Sequence, residues 1–336
     1  MTARRILITG ATGGLGHALV QEAMGRGAVV RATGRQTGVG AGLSALGAQF
    51  VRCDLTAPDA DLAALLSGCD SVIHAAALSA SWGREADFIA ANITATRRLL
   101  DAARVARVTR FVFVSSPSIF AQLADQVQIG EYHPPAARPL NAYARTKLAA
   151  ERMVLAACDE RMATCAIRPR ALVGQGDRVI LPRLAQLASR NRMPLPRGGA
   201  ALIELTDLRD AAWAICEAEA RTPALGGRAL NISGGKPIAV RDLALRLAAA
   251  LGKSPRLVPV PLLLARQLAH VAQTVASITG AQQEPVLTRY TLATLAYSQT
   301  FDLAPAQRRL GYQPQHDAVE TLLGEARRMA SVGGAA

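Results

Sequence analysis

Tyr143 and Lys147 stand four residues apart and could together move a proton. Positions i and i+4 share one face of a helix, so the phenol and the amine are predicted to point the same way. A phenol has a pKa near ~10 and is a poor acid or base at neutral pH, but a neighbouring ammonium favours the phenolate and lowers that pKa. The spacing therefore predicts a general acid–base pair in which Lys147 tunes Tyr143.

Ser115 and Ser116 follow the apolar run Phe111–Val114, which is typical of a buried strand. Open α/β sheets place their ligand-binding groups at the carboxyl ends of the strands. A hydroxyl at this point could donate a hydrogen bond to a substrate oxygen and hold it against Tyr143. The order of these motifs along the chain is more specific than any one of them alone.

Three glycines, Gly10, Gly13 and Gly16, follow the first apolar run and open a helix pattern. Gly10 permits the tight turn, Gly13 lets the backbone approach a pyrophosphate, and Gly16 lets the helix pack close to the strand. The helix N-terminus adds free N–H groups and a partial positive charge. The segment 9–16 therefore predicts a dinucleotide site.

The end of the second predicted strand indicates which nicotinamide dinucleotide is preferred. An NAD site usually has Asp or Glu there to accept a hydrogen bond from the ribose 2′-hydroxyl. This chain has no carboxylate there, whereas Arg35 could pair with a 2′-phosphate. NADP is thus favoured over NAD, and Asp54, just after the third strand, is expected near the adenine edge.

Short apolar strands alternate with helix patterns through the first half, which predicts an α/β protein with a Rossmann-type, doubly wound parallel sheet. We expect residues 1–170 to form the dinucleotide-binding domain and residues 171–330 a smaller C-terminal substrate lobe, interleaved with it and without a clear linker. The sixth strand, from Ala163, is expected to end at Arg168-Pro169. The predicted strands are 6–8, 29–32, 49–53, 71–74, 111–114, 163–167 and 229–232, and the predicted helices include 84–105, 141–158, 207–220, 240–251 and 260–277.

Composition excludes several other classes of protein. The net charge is +13, but the basic residues are scattered and aromatic residues make up only 4% of the chain, too few for base stacking, so we expect no nucleic-acid partner. Only three lysines occur, so Lys147 stands out in a chain that otherwise uses arginine. Five cysteines without a C-x-x-C pair predict neither a disulfide framework nor a zinc site, and five histidines lack metal-ligand spacing.

The chain starts without a signal-peptide pattern, so a cytoplasmic location is expected. The apolar stretch Leu257–Thr279 is interrupted by Arg266, Gln267, His270 and Gln273. It is therefore a poor membrane span, and a surface or pocket-covering helix with at most peripheral membrane contact is predicted.

Taken together, these motifs resemble the extended branch of the short-chain dehydrogenase/reductase superfamily, the NAD(P)-dependent epimerases and dehydratases. Three further pieces are similar to the 3β-hydroxysteroid dehydrogenases and the related 2-alkyl-3-oxoalkanoate reductases: Ser81-Trp82-Gly83, Ser115–Ser118, and the tail around Pro285–Tyr290. The run Leu205–Asp210 departs from the usual Val-Asp-Asp-like pattern, so details of the substrate lobe need not transfer.

The resemblance implies a role for each matching residue. Tyr143 would be the general acid and base, Ser116 the donor to the substrate oxygen, Lys147 the ligand of the nicotinamide ribose, and Asn92 a support for proton-relay geometry. The residues expected to line the cofactor are Gly10, Thr12, Gly13, Gly14, Leu15, Gly16, Arg35, Asp54, Leu55, Ala75, Ala76, Ala77, Tyr143, Lys147, Pro169 and Ala171.

The predicted function is therefore an NAD(P)-dependent oxidoreductase that interconverts a ketone and a secondary alcohol on a bulky apolar substrate, such as a sterol-like or β-keto compound. One alternative is a nucleotide-sugar epimerase or dehydratase, for which Arg178, Arg183 and Arg197 could bind a pyrophosphate. The other is an NADP-binding redox sensor without turnover. A homodimer through the helices 84–105 and 141–158 is also expected.

Overall fold

The predicted strands form one parallel sheet in the computed structural model, which describes residues 3–177, 180–188, 191–279, 281 and 283–333. Its order is β3-β2-β1-β4-β5-β7-β12, and every neighbouring pair is parallel. The strands of the whole chain are β1 (Arg5–Thr9), β2 (Val29–Gly34), β3 (Gln49–Arg52), β4 (Ser71–His74), β5 (Arg110–Val114), β6 (Gln126–Ile129), β7 (Ala163–Pro169), β8 (Leu172–Val173), β9 (Arg192–Pro196), β10 (Leu202–Ile203), β11 (Thr206–Asp207), β12 (Ala229–Ile232), β13 (Ile238–Ala239), β14 (Arg256–Val260) and β15 (Gln299–Phe301).

Helices cover both faces of this sheet, as expected for a doubly wound fold. The helices are α1 (Gly14–Gly25), α2 (Thr37–Ala45), α3 (Leu62–Leu66), α4 (Glu85–Phe88), α5 (Ala95–Val105), α6 (Ala142–Ala156), α7 (Ile180–Ala188), α8 (Leu208–Leu225), α9 (Val240–Ala250), α10 (Leu262–Thr279), α11 (Arg289–Ala296), α12 (Ala304–Leu310) and α13 (Ala318–Gly333). A π-helical turn, Ile89–Thr94, joins α4 to α5, and 3₁₀ turns occupy Pro117–Phe120 and Arg197–Gly199.

Two apolar clusters fill the space between the sheet and its helices. Alternate residues of one strand point to opposite faces, so Ile8 packs with α1 and α8 while Leu7 packs with α5 and α6. Because each strand is buried on both sides, it reads in the sequence as a continuous apolar run. The predicted fold class, a Rossmann-type parallel sheet, is confirmed.

The chain after residue 170 contributes to the main sheet and also forms smaller sheets beside it. Strand β12 pairs with β7, and α8 packs against α1 and β7. The remaining strands form a four-stranded sheet, β13-β10-β15-β6, and the pairs β8–β11 and β9–β14. The division into residues 1–170 and 171–330 stays a prediction. Helix α8 and strand β12 belong to the second range by sequence but pack on the main sheet of the first.

Several predicted element bounds differ from the structure, among them the end of α8, which lies at Leu225 instead of residue 220. The helix expected over 84–105 is interrupted by the π turn. Strand β7 continues through Pro169 instead of ending at Ile167, because the missing N–H of Pro169 faces the side where β5 has already ended opposite Ile167. Arg170 then extends the ladder with β12 by donating its backbone N–H to the Ile232 carbonyl, at 2.8 Å.

A search of the described residues for a helix able to cross a membrane, by length and apolar character together, finds none.

Candidate active site

Tyr143 and Ser116 meet at the carboxyl edge of the main sheet. The side chain of Asn141 accepts a hydrogen bond from Ala144 N at 2.9 Å, and this cap starts α6 so that Tyr143 lies in its first turn. Ser116 follows β5, and its hydroxyl accepts from Ser118 N at 3.2 Å. The Ser116 hydroxyl lies near enough to the Tyr143 phenol to lower its pKa. The structure thus brings together the hydroxyl and the phenol that the motifs predicted.

Lys147 lies one turn further along α6 and is buried. Its Nζ donates to the Val114 carbonyl at 2.5 Å and lies 4.0 Å from the centroid of the Phe113 ring. Burial lowers the pKa of Lys147 to about 7, although the Glu151 carboxylate opposes that change. The amine is therefore committed to a carbonyl of β5 in this structure.

The pKa of Tyr143 moves opposite to our expectation. Burial raises it to about 12, with the nearby Ser116 hydroxyl lowering it and the Tyr290 phenol raising it. We expected Lys147 to lower this pKa, and for the structure as described that prediction is wrong. The reason is that burial outweighs the other influences, while the Lys147 amine donates to Val114. Tyr143 is consequently a neutral phenol that holds its proton at physiological pH.

Asn92 lies in the π turn and joins three parts of the site. Its side-chain oxygen accepts from Leu78 N at 2.8 Å, and its side-chain nitrogen donates to Leu78 O at 3.2 Å and to Thr146 Oγ1 at 3.0 Å. The Thr146 hydroxyl in turn donates to the carbonyl of Ala142 or Tyr143 in α6. Asn92 therefore couples the loop after β4 to the helix that carries Tyr143.

A second buried chain of hydrogen bonds runs through His74 and was not predicted. Thr96 donates to the Asn92 carbonyl, so its single hydroxyl proton is used and it accepts from His74 Nε2, at 2.9 Å. The bare His74 Nδ1 then accepts from the Thr9 hydroxyl at 2.7 Å, and Thr9 accepts from Ala76 N. Burial, with a smaller influence of Lys147, lowers the pKa of His74 to about 3, which keeps the ring neutral.

The glycine-rich turn has the geometry that each glycine was expected to provide. Gly10 has φ +67° and a Cβ there would lie 2.7 Å from Ala76 N, while a Cβ at Gly16 would lie 2.1 Å from Gly10 O. Gly13 is exposed before the first turn of α1, and a Cβ there would meet only Gly10 O, at 3.4 Å. The space above Gly13 is therefore open, as the approach of a pyrophosphate requires.

The other predicted cofactor residues surround this turn. Thr12 packs beside Gly34, Leu15 packs partly buried on the core, and Gly14 lies against Gly176 from the C-terminal part. Leu55 is buried beyond β3, Ala75, Ala76 and Ala77 follow β4 beside Gly10, Pro169 ends β7, and Ala171 has φ +40°.

Arg35 is exposed at the end of β2, next to Arg52 at the end of β3. The Arg52 Nε donates to Arg35 O at 3.4 Å. Asp54 accepts from Thr56 N and from the Thr56 hydroxyl, and these bonds, helped by the charges of Arg35 and Arg52, lower its pKa. Asp54 is thus a turn-forming residue as well as a neighbour of two guanidinium groups.

A C-terminal segment contacts the loop that follows β4. Ser81 Oγ donates to Glu284 at 2.6 Å, and Trp82 Nε1 donates to Ala281 O at 2.9 Å. Tyr290 lies close enough to Tyr143 to raise its pKa. The Ser81-Trp82-Gly83 and Pro285–Tyr290 motifs therefore belong to one region of the molecule.

Of the arginines considered for a pyrophosphate, Arg197 is engaged elsewhere: its Nη1 pairs with Asp125 at 2.9 Å and donates to Ala296 O. Arg178 and the side chain of Arg183 lie outside the described residues. Within the described part of the chain, no group of three His, Cys, Asp or Glu side chains is arranged to hold a metal ion.

The strand order and the glycine-rich turn define a Rossmann-type dinucleotide fold, and the paired hydroxyl and phenol at its sheet edge add an acid–base site. The model of the family described as "NAD dependent epimerase/dehydratase family" matches residues 6–233. This chain belongs to that family.

Three curated relatives align with nearly the whole chain. The 2-alkyl-3-oxoalkanoate reductase of Stenotrophomonas maltophilia is 34% identical and covers 95% of this chain and 97% of its own. The 4-hydroxy-2-methyl-3-oxo-4-farnesyl-3,4-dihydroquinoline-1-oxide ketoreductase of Stigmatella aurantiaca is 31% identical, covering 92% and 91%. The human sterol-4-alpha-carboxylate 3-dehydrogenase, decarboxylating, is 27% identical, covering 95% and 87%.

Among solved structures, MoeE5 in complex with UDP-glucose and NAD is 25% identical, with a TM-score of 0.74, over 99% of this chain and 100% of its own. The predicted resemblance, fold and general class, an NAD(P)-dependent oxidoreductase of the extended short-chain type, are confirmed by these comparisons.

Proposed function

We propose that this protein reduces a ketone on a bulky apolar substrate to a secondary alcohol, and catalyses the reverse oxidation, with NADP(H). The observation that carries the proposal is the proximity of the Ser116 hydroxyl to the Tyr143 phenol at the sheet edge, one helical turn from Lys147. The names of the three curated relatives, each of which acts on a ketone or alcohol of an apolar molecule, support it.

Each side chain has a distinct part in this reaction. A bound nicotinamide supplies or accepts the hydride. Ser116 donates a hydrogen bond to the substrate oxygen, and Tyr143, which keeps its proton up to a pKa of about 12, protonates that oxygen as negative charge develops on it. Lys147 would hold the nicotinamide ribose, and Asn92 would keep α6 in register with the loop after β4 through its bonds to Leu78 and Thr146.

The test of this proposal is NADPH oxidation with hydrophobic β-keto compounds by the wild type and by Tyr143→Phe. Removing the proton donor should lower kcat by at least about 100-fold. The matched control is Tyr132→Phe, because Tyr132 is 78% exposed and its hydroxyl contacts only Arg228 on the surface. Unchanged turnover in Tyr143→Phe, with both variants folded, contradicts the assigned role.

The preference for NADP(H) rests on charge. Arg52 donates to the Arg35 carbonyl, the charges of both arginines act on Asp54, and β2 ends without a carboxylate. The end of the second strand is where this fold is expected to meet the 2′ position of the adenosine ribose, and a guanidinium there would suit a 2′-phosphate. Arg35→Gln should therefore weaken NADPH binding by about 10-fold and leave NADH binding nearly unchanged, because an exposed guanidinium–phosphate pair contributes on the order of 1 kcal/mol.

Tryptophan quenching titrated with both coenzymes measures this change, and Arg327→Gln, an exposed arginine far along α13, is the control. Equal weakening of NADPH and NADH would contradict a 2′-phosphate contact.

A nucleotide-sugar epimerase is the second candidate, favoured by the UDP-glucose and NAD bound to the MoeE5 neighbour. Incubation with UDP-glucose, followed by analysis for a new sugar, tests it. An NADP-binding sensor without turnover would instead bind NADPH tightly and oxidise none of the ketones offered.

A homodimer through the outer faces of α5 and α6 is part of the proposal, and light scattering after gel filtration tests it. The cytoplasmic location stays a prediction.

A further inference from the structure

Arg170 is a buried arginine whose guanidinium has no hydrogen-bond or ion-pair partner in the part of the chain that the structure describes. It is only 8% exposed, and its backbone is fixed on both sides: its N–H donates to Ile232 O, and its carbonyl accepts from the Thr206 hydroxyl. Among the described residues, its guanidinium makes no hydrogen bond and no ion pair, and its Nε is closed off from solvent. Such a group is costly, because a buried charge normally has a partner.

The other buried arginines of this chain show what a structural arginine looks like here. Arg168, two residues earlier, donates to both oxygens of Glu151 at 2.8 and 2.6 Å. Arg31 donates to Gln49 and to the carbonyls of Leu65 and Ser67 at the end of α3. Arg170 lacks any such set of contacts.

The nearest carboxylate that influences Arg170 does not pair with it. Glu204 is buried, accepts from the Ser233 hydroxyl and from Phe301 N, and stands in no ion pair with Arg170 among the described residues. Burial lowers the pKa of Arg170, although Tyr290 and Glu204 oppose that change.

Arg170 belongs to the edge of the sheet where the reaction takes place. Strands β5 and β7 are neighbours, and Ser115 N donates to Ile167 O at 2.7 Å, which sets the loop with Ser116 beside the end of β7. Tyr290 lies within electrostatic reach of both Tyr143 and Arg170, since it raises the pKa of each. Tyr290 thus acts electrostatically on both the proton donor and the Arg170 guanidinium.

We propose that Arg170 binds the carboxylate of a β-keto acid whose ketone oxygen is held by Ser116 and Tyr143. A guanidinium presents two parallel N–H donors that match a carboxylate, and the bound anion would compensate the buried charge. The inference rests on the proposed function and narrows its substrate class. It fits the names of two relatives, a 3-oxoalkanoate reductase and a sterol-4-carboxylate 3-dehydrogenase, in which the carboxylate lies β to the reacting carbon.

The first experiment compares a freshly prepared 2-alkyl-3-oxo acid with its methyl ester, which has the same chain and the same ketone without the negative charge. With NADPH, the wild type should show a kcat/KM for the acid about 100-fold above that for the ester. Arg170→Met should lower kcat/KM for the acid by about 100-fold, mainly through KM, and change that for the ester less than 3-fold. Arg170→Lys keeps the positive charge but loses the two parallel N–H donors of the guanidinium. Its kcat/KM for the acid should lie between those of the wild type and Arg170→Met.

Thermal stability separates binding from a structural role. Arg170→Met should keep or raise Tm, because it removes an unpaired buried charge, whereas Arg168→Met should lower Tm, because it leaves Glu151 buried and unpaired. The acid-to-ester ratio of Arg168→Met should stay that of the wild type. Equal losses for acid and ester in both Arg170 variants would overturn the inference, as would a wild type that prefers the ester, the behaviour expected if its substrates resemble the neutral quinoline ketone.

A binding measurement keeps the two proposals apart. Calorimetry with the 2-alkyl-3-hydroxy acid should show binding to the wild type and at least about 10-fold weaker binding to Arg170→Met. Turnover of esters and neutral ketones without a preference for acids would contradict the role of Arg170 and still support the proposed function. Acid binding that depends on Arg170, with no turnover of any ketone, would support the role of Arg170 and contradict the proposed function.

Discussion

His74 makes the stability of the protein depend on pH. Its pKa is about 3 in the folded protein and about 6.5 in an unfolded chain, so the unfolded chain takes up a proton first as the pH falls. The stabilising contribution is therefore complete above pH ~6.5 and is lost as the pH falls toward 3. We expect this residue alone to remove about 3 kcal/mol from the free energy of unfolding by pH 4.

Urea unfolding of the wild type and of His74→Leu between pH 8 and pH 4 measures this contribution. The variant should be less stable at pH 8, because Thr9 and Thr96 lose their partner, but its stability should fall less steeply with acid. His270→Gln, at an exposed position, should keep the wild-type slope. An identical slope in His74→Leu would show that the imidazole is not held neutral.

At the same scale, the sequence identified Tyr143, Ser116 and Lys147 by type and spacing, but not the protonation states of Tyr143 and Lys147. A pKa depends on burial and on which atom each side chain faces, and neither is written in a local motif. Lys147 was expected to act on Tyr143, whereas its amine donates to Val114. The unpaired state of Arg170 was equally hidden, because it depends on residues far away in the chain.

Among the elements, the glycine-rich turn offers a matched pair of substitutions. A Cβ at Gly16 would lie 2.1 Å from Gly10 O, a backbone atom that cannot move aside, whereas a Cβ at Gly13 would be in ordinary contact at 3.4 Å. Gly16→Ala should therefore lower Tm by several degrees or prevent folding. Gly13→Ala should change Tm little and weaken NADPH binding about 10-fold or more, because its methyl group fills the space a pyrophosphate would use.

Thermal melts combined with coenzyme titration separate these two effects. Gly38→Ala, where a Cβ would meet nothing within 4 Å, is the control for both measurements. Tight NADPH binding in a folded Gly13→Ala would show that the phosphates do not lie over this turn.

Some helices and strands could be predicted from the sequence far more accurately than others. Strands such as β4, buried on both faces, were found residue for residue, because an unbroken apolar run has few other readings. The two-residue strands β8, β10, β11 and β13 were not found, since so few residues carry no period and pair only through contacts distant in sequence. The π turn was missed for a related reason: it depends on Asn92 bonding Leu78 and Thr146, not on its own six residues.

Considered as a whole, the molecule exposes one apolar helix face. On α10, Leu264, Leu268, Val271, Val275 and Ile278 are about half to four-fifths exposed at helical spacing, while Ala265, Ala269 and Ala276 face inward. A contiguous exposed apolar area of this kind promotes binding to other apolar surfaces. The predicted peripheral membrane contact of this segment stays a prediction.

Replacing Leu268 and Val275 together with serine should lower the fluorescence of a bound hydrophobic dye and the retention on a phenyl column, with little change in Tm. Val105→Ser, an isolated residue that is 84% exposed on α5, should change neither measurement. Equal dye binding before and after the double substitution would show that this face is covered in solution.

The position of β12 has a consequence for how the protein is made. A ribosome delivers the glycine-rich turn, Ser116 and Tyr143 early, yet the outer edge of β7 stays open until residues 229–232 have emerged. Until then the nascent chain presents an apolar, unpaired strand edge, which is a template for wrong pairing with other chains. Completion of the sheet is thus a late step of synthesis, and the half-made protein is the stage at which a chaperone would matter most.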